Sequence, residues 1–263
     1  MVINNHYLSA PMRDLLNIKL LAQPFETSHK QDFKLNNAKH ISEMYSIIEN
    51  CVSVLSDLKA RKSYIFSGAT ADQLGLTLKT NEIKSIWEDE LLDKVHTEDL
   101  QKKYRLEFQF FQLLNAIDAA ERTDYQVITK LRIKNKEGKY VFVQHRLLYI
   151  GNSDDGSIWL ALCLYNIICD HPEFAIPEGV IINTKTGKVI DHDEDRFSNL
   201  LSSREKEILI LIKHGQRSKE IADKLALSIN TINRHRQNIF QKLNVTNAME
   251  ACRVAETTGL VSR

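Results

Sequence analysis

The chain has 263 residues, 43% hydrophobic and 26% charged, with nine Gly and four Pro. Such a composition fits a globular protein with a sizeable core and excludes fibrous and low-complexity classes. The formal net charge of +1 says nothing by itself about partners, but its distribution does. Residues 200–263 hold 11 Lys and Arg against 6 Asp and Glu, a net of +5; the first 199 hold 24 against 28, a net of −4. A basic end on a mildly acidic body is the asymmetry of a chain in which one domain meets a polyanion.

No uninterrupted apolar run is long enough to span a bilayer, and the first residues lack a charged segment followed by an apolar one. A cytoplasmic protein without a membrane span is expected. Cys51, Cys163, Cys169 and Cys252 are scattered without metal-ligand spacing, so they read as small apolar residues in a reducing compartment.

In chain order, Arg13–Leu21 and Ile41–Leu55 carry apolar residues at helical spacing, the second through Ile41, Met44, Ile47 and Ile48, with Pro24 between them. Ser63–Phe66 reads as a strand stopped at Ser67-Gly68, Ala71–Leu76 and Ile86–Val95 as short helices, and Glu98–Ile117 as a long helix. The period then changes. Tyr125–Lys134, Tyr140–Ile150 and Ile158–Ile168 are rich in β-branched and aromatic residues and separated by turn sequences, which predicts three long antiparallel strands. Val180–Asn183 and Lys188–Ile190 around Thr186-Gly187 predict one more hairpin.

The acidic run Asp191–Asp195 marks a compositional break and reads as a solvated linker, residues 191–199. Beyond it the helical pattern sharpens. Ser202 or Ser203 can cap a first helix whose early Glu205 and Glu207 suit the helix dipole, and Gly215 stops it. Ser218 can cap a second helix, Lys219–Leu225. After Ala226-Leu227, Ser228 can cap a third, reaching about Leu243, and a fourth runs from Asn247 to near Gly259. A three-residue turn between the second and third of four short helices predicts a helix-turn-helix.

At 100° per residue, Ile229, Ile232, Ile239, Phe240 and Leu243 of the third helix share an apolar sector. Arg234, Gln237, Asn238 and Gln241 lie opposite, with Asn233 at the edge. That polar face has no carboxylate. Amide side chains pair with adenine and Arg with guanine in the major groove, so Asn233, Arg234, Gln237 and Gln241 are the candidate base readers. Lys219, Ser228 and Thr231, near helix amino-termini, are the candidate phosphate contacts. Arg236 falls in the apolar sector, where its stem would cover the core and its guanidinium pair with Glu205 or Glu207. His235 sits at the flank, suited to packing.

Leu201-Ser202-Ser203-Arg204-Glu205-Lys206-Glu207-Ile208-Leu209, Gly215, Ser218-Lys219-Glu220-Ile221-Ala222, Leu227-Ser228, Thr231-Ile232-Asn233-Arg234-His235, Asn238-Ile239 and Lys242-Leu243 together resemble the LuxR-type signature. The resemblance implies that the third helix enters the major groove and that the fourth pairs two subunits. Ala248, Ala251, Cys252 and Ala255 are then the candidate dimer stripe. Asn233 stands where family members often carry a basic residue, which leaves the recognised base sequence open. The implied partners are double-stranded DNA and a second copy of the chain, with RNA polymerase a further candidate.

Over residues 45–170 the order of elements resembles a PAS sensor domain. The resembling pieces are Trp87-Glu88-Asp89-Glu90-Leu91-Leu92, Val95-His96-Thr97-Glu98-Asp99, and Leu131-Arg132-Ile133-Lys134 with Lys136-Glu137-Gly138. Such a domain encloses a pocket that takes a small molecule or a partner. No flavin-type Asn-Cys-Arg segment is present. His96 reads as a capping or packing residue, and Phe108, Phe110, Phe111, Phe142 and Tyr149 as core or pocket lining. No cofactor is evident, though an unidentified small-molecule ligand fits this domain. The sequences of P-loop, GxSxG, HExxH and GxGxxG sites are missing, so neither a catalytic nor a metal residue is expected.

The expected fold class is an α+β PAS-like sensor domain, an antiparallel sheet with helices, followed by an all-α four-helix LuxR-type helix-turn-helix domain. The expected layout is an amino-terminal helical extension (1–44), a PAS-like domain (45–190), the acidic linker (191–199) and the DNA-binding domain (200–263). Together they describe a sequence-specific transcription regulator controlled through its sensor domain; the alternative is an interaction module whose amino-terminal half docks a partner, with DNA binding secondary.

Overall fold

The structure, a computed structural model, describes residues 10–26, 31–77, 82–168, 179–190, 200–243, 245–257 and 260–261. The acidic linker, Cys169 and Gly259 lie outside them. The chain divides into two compact units, Met1–Asp191 and His192–Arg263.

The first unit is built on one antiparallel sheet. Its elements are α1 (Ala10–Leu21), α2 (Gln31–Ile48), β1 (Val52–Asp57), β2 (Lys62–Ser67), α3 (Ala69–Leu74), β3 (Glu82–Ile83), α4 (Asp89–Leu92), α5 (Thr97–Ala116), β4 (Tyr125–Lys134), β5 (Tyr140–Asn152), β6 (Ile158–Ile167), β7 (Gly179–Asn183) and β8 (Val189–Ile190). The strand order is β3-β2-β1-β6-β5-β4-β7-β8, and every neighbouring pair is antiparallel. The three long strands and the last hairpin fall where the alternation places them. The central strands β1 and β6 are buried along nearly their whole length because helices cover both faces. In β4 every second residue is buried, since only one face meets α5.

Two expectations fail at α2. The helix does not run to Leu55; it ends at Ile48, and Asn50 adopts a left-handed φ of 51°, which a short polar side chain tolerates and a helix cannot continue. The next residues form β1. A boundary at residues 44 and 45 therefore cuts a continuous helix, and α2 packs on β1, β2 and β6 as part of the sheet domain.

The apolar stripe also faces the other way. Ile41, Met44, Ile47 and Ile48 are exposed, as is Phe33, which is 72% exposed. The packed side is small: Ala38, Ser42 and Ser46 are buried, with each serine hydroxyl donating to a carbonyl of its own helix. Small residues allow α2 to lie close to the sheet, against Leu55, Tyr64, Trp159 and Leu160.

On the opposite face, α5 is tied to β4 by Asp99 and Arg132. Asp99 Oδ2 accepts from the Arg132 backbone N–H and Nε, each at 2.8 Å, and Oδ1 from Nη2 at 2.7 Å. Burial opposes the charged carboxylate, but these donors hold its pKa below the usual value. His96 precedes α5 without a side-chain capping bond; its backbone N–H donates to the Arg132 carbonyl and its ring meets the edge of Tyr140. Phe108, Phe110, Phe111 and Tyr149 are buried as expected. Phe142 is half-buried and carries Lys130 over its ring at 4.0 Å, so it is neither core nor pocket lining.

The second unit contains α6 (Ser203–Lys213), α7 (Ser218–Leu225), α8 (Ile229–Leu243) and α9 (Ala248–Thr257). Ser202 caps α6 in a reciprocal box: its hydroxyl accepts from the Glu205 backbone N–H at 3.2 Å, and Glu205 Oε2 accepts from the Ser202 N–H at 2.8 Å. The same carboxylate accepts from Lys242 Nζ at 2.7 Å, joining the start of α6 to the end of α8. Glu205 is 3% exposed. Ser218 does not cap α7; Arg217 holds that position, and its backbone N–H donates to Glu220.

Two stability effects follow from these contacts. At Gly68 a Cβ would meet the Asn50 carbonyl carbon at 2.4 Å and the Ser46 oxygen at 2.5 Å, backbone atoms that cannot step aside. Gly68→Ala is expected to destabilise the first unit by about 1–3 kcal/mol in denaturant unfolding; an unchanged midpoint would show that α2 does not approach the sheet this closely. Glu205 has its pKa lowered below 4.5, because bonds from Lys242 and Ser202 overcome the cost of burial. Its contribution is fully present above pH 4.5 and is lost as pH falls through the lowered value. Glu205→Gln should cost about 1.5–3 kcal/mol at pH 7. That difference should shrink below pH 4 on urea titration of both proteins; a difference independent of pH would contradict the charged pair.

Candidate nucleic-acid interface

The geometry of α8 follows from its two ends. Ala226 takes a left-handed φ of 53° and ends α7, and the Leu227 N–H returns to the Ala222 carbonyl at 3.0 Å. Two residues later Ser228 Oγ accepts from the Thr231 N–H at 3.0 Å and opens α8. The turn so fixed sets α8 across α7. Ile232, Ile239 and Leu243 are fully buried and anchor its inner side. Ile229, expected in the same sector, is 45% exposed because it lies at the first turn, beyond the reach of the core.

The outward face carries Asn233, Arg234, Gln237 and Gln241, all exposed and on one side of the helix. Asn230, one turn before Arg234, is exposed on the same stripe and extends it. It escaped the sequence reading because it lies in the first turn, among residues read for capping and phosphate contact. α8 contains no Asp or Glu. The result is a row of amide and guanidinium donors about three turns long, the residue types that pair with base edges in the major groove. Asn238 is half-buried and stands off the row.

Lys219 is exposed in the first turn of α7. Ser228 is exposed and Thr231 half-buried, and their hydroxyls lie 2.8 Å apart at the start of α8. The geometry thus gathers these candidate phosphate contacts near two helix amino-termini, where positive dipole ends and N–H groups favour an anion. Arg217, also exposed beside Lys219, adds a cation that sequence reasoning passed over.

Two expectations are corrected. Arg236 does not pair with Glu205 or Glu207: Lys242 takes the first and Arg204 the second, at 2.6 Å, while the Arg236 guanidinium lies over the Phe240 ring at 5.9 Å. His235 is half-buried, as its flank position implied. The stripe of Ala248, Ala251, Cys252 and Ala255 cannot serve as a whole as a dimer surface. Ala251 and Ala255 are fully buried against α6 and α8, and Cys252 is half-buried with its Sγ 4.0 Å from the Leu209 carbonyl. Small side chains are there to let α9 approach its own neighbours. The exposed side of α9 carries Met249, 84% exposed, and Arg253.

A second candidate site lies inside the first unit, where α5 faces the sheet. Lys103, Glu107, Glu88, His145 and Tyr165 are all nine-tenths or more buried there. Lys103 Nζ lies 2.8 Å from Glu107 Oε1, close enough for charge attraction, yet that oxygen receives no well-directed hydrogen bond. His145 Nε2 is 3.7 Å from the same oxygen, and neither ring nitrogen makes a hydrogen bond. The His145 ring lies 4.8 Å from that of Tyr165, whose hydroxyl donates to Glu88. Burial lowers the histidine well below its ordinary value, with Lys103 adding to the effect, so the ring is neutral. Burial also raises Glu107, which Lys103 offsets only in part.

Two cavities adjoin this cluster. A void of about 30 Å³ is bounded by Lys103, Glu107, Tyr149 and Cys163, and a larger cleft of about 220 Å³ opens beside it. Trp87 and Glu88 line both. Sequence reasoning placed Trp87 and Glu88 in a resembling segment but gave no reason to single out Lys103, Glu107 or His145.

The family model described as bacterial regulatory proteins, luxR family, matches residues 199–255. The Oxygen regulatory protein NreC of Staphylococcus carnosus is 45% identical over 65 residues, and the Regulatory protein SdiA of Escherichia coli 43% identical over 60. These matches span 25% and 23% of the chain, and 30% and 25% of the relatives. Among solved structures, a phage VqmA–DPO complex superposes over 89% of this chain and 91% of its own, at 15% identity and a TM-score of 0.30. A Vibrio cholerae VqmA dimer covers 86% and 88%, at 14% identity and a TM-score of 0.31. Superposition that loose carries no argument for the first unit, whose description rests on its own strand order. The match over the second unit is of another kind: the capping box at Ser202, the αL turn at Ala226 and α8 all fall within the residues that the luxR-family model matches, so residues 200–243 carry a helix-turn-helix similar to that family's.

Proposed function

We propose that the chain is a sequence-specific double-stranded DNA-binding transcription regulator of the cytoplasm, with the first unit a sensor that controls the second. The observation that carries this reading is the acid-free row Asn230, Asn233, Arg234, Gln237 and Gln241 on the outer face of α8. Phosphate repels carboxylates, and a solvated amphipathic helix of this length would ordinarily display some. Arg234 and the amides read base edges, while Lys219, Ser228 and Thr231 fix register on the backbone.

The test begins with selection of genomic fragments by the full chain, followed by titration of a recovered site at several salt concentrations. Arg234→Ala is expected to cost about 1–3 kcal/mol on that site and to relax one base preference. Lys219→Ala should weaken binding to all sequences alike and flatten the salt slope by about one. Equal loss on every sequence for Arg234→Ala, or an unchanged slope for Lys219→Ala, would refute the assigned roles.

A specific observation also favours docking by the first unit. Phe33, Ile41, Met44, Ile47 and Ile48 fall within a sector of about 120° on α2 and are all exposed. A two-fold axis sets one such stripe against its copy, and a helix-turn-helix that reads paired half-sites needs a two-fold partner. The occupant is therefore a second copy of the chain, with RNA polymerase as a further partner of the assembled regulator. Ile47→Glu combined with Ile48→Glu should convert a sedimenting dimer to monomer and cut affinity for a two-half-site operator; a variant that stays dimeric would remove α2 from the interface.

A further inference from the structure

We propose that the cleft beside Trp87 and Glu88 binds an uncharged, single-ring molecule bearing an N–H or O–H donor, which it presents to Glu88. This deepens the sensor reading of the first unit by naming the class of ligand. The cleft has apolar walls, from Val54, Ile65, Leu76, Ile83 and Leu91 with the Trp87 indole, and a volume of about 220 Å³. A cavity of roughly 150 Å³ suffices for benzene, so one substituted ring fits and a long acyl chain does not.

The polar end selects the head group. Glu88 is 5% exposed, lines both cavities and accepts the Tyr165 hydroxyl with Oε1. Its carboxylate offers only acceptors, so the complementary group is a donor. Asp89 and Glu90 add acidic character at the mouth, Asp89 already engaged by Arg13 at 2.6 Å. No Lys, Arg or His stands among the described residues that line the cleft, so a carboxylate or phosphate ligand meets no cation in those walls. A cationic ligand fares little better, because the buried ammonium of Lys103 lies behind Glu88 and lines the inner void.

Behind Glu88 stand groups whose hydrogen bonding is incomplete: both nitrogens of His145 have no partner, and Glu107 Oε1 has only the Lys103 ammonium, at 2.8 Å. Unpartnered polar groups in a buried site are costly, and a ligand that draws Glu88 toward itself shifts Tyr165 and, through its ring, His145. The site is thus coupled to β5 and β6 of the sheet, a route by which occupancy reaches the rest of the unit.

The experiment is ligand-observed NMR titration of the full chain, without DNA, using nicotinamide, benzoate and toluene as uncharged-donor, anionic and donor-free probes. Nicotinamide should bind about tenfold or more tightly than either of the others. Ile83→Trp, which fills the cleft from the half-buried edge strand β3, should abolish the signal, and Glu88→Gln should weaken it. Benzoate binding as well as nicotinamide, nicotinamide binding unaffected by Ile83→Trp, or no binding by any probe would each overturn the assignment. Because binding is read directly, failure here leaves the DNA-reading role of α8 intact. If nicotinamide binds as stated but leaves DNA affinity unchanged, the sensor reading fails and the ligand site stands.

Discussion

The second unit depends on one buried carboxylate. Glu205 receives the Ser202 N–H at the start of α6 and the Lys242 ammonium at the end of α8, and so fixes the recognition helix to the helix that supports it. The αL turn at Ala226 and the Ser228 cap set the other end of α8. With both ends held and Ile232, Ile239 and Leu243 buried, the outward direction of Arg234 and Gln237 is no longer free. The same ion pair withdraws a carboxylate from the surface of a unit whose proposed ligand is a polyanion. Affinity for DNA comes mostly from phosphate neutralisation, and discrimination from base edges; under the proposed function the unit would divide these tasks between its helix starts and the face of α8.

The first unit places its polar groups in the opposite manner. Ionisable residues that would ordinarily lie on a surface are enclosed between α5 and the sheet, where desolvation keeps His145 neutral and raises Glu107. Such clusters are expensive to maintain and tend to mark sites where a ligand or a conformational change is registered. Trp87 and Glu88 line both the inner void beside that cluster and the cleft.

Much of this was legible in the residue order. The turn sequences Asn135–Gly138 and Gly151–Gly156, with the alternation on either side, specified β4, β5 and β6 to within two residues. Local signals of capping and periodicity likewise located α6 to α9. Apart from the break at Asn50 that ends α2 and begins β1, what could not be read was tertiary. An apolar stripe marks a face that avoids water, and on α2 that face is Ile41, Met44 and Ile47 left open, while the packed side is made of Ala and Ser that allow close approach. The reverse error arose at α9, where a run of small residues suited an interface but Ala251 and Ala255 are spent inside the domain. Arg236 was judged by angle alone, and Lys242, one turn and a half later, reached Glu205 instead. The buried cluster was hidden for another reason: Lys103 and Glu107 stand one turn apart on α5, but their burial and their meeting with His145 of β5 are not revealed by spacing.

The central claim is that the outer face of α8 lies in the major groove with Arg234 on a base edge. Methylation interference on a selected operator tests it directly, because dimethyl sulfate marks guanine N7 in the major groove and adenine N3 in the minor. The account predicts interference at guanine N7 positions in each half-site, with one of them lost when the bound protein is Arg234→Ala. Interference confined to adenine N3, or a guanine pattern indifferent to Arg234→Ala, would contradict it.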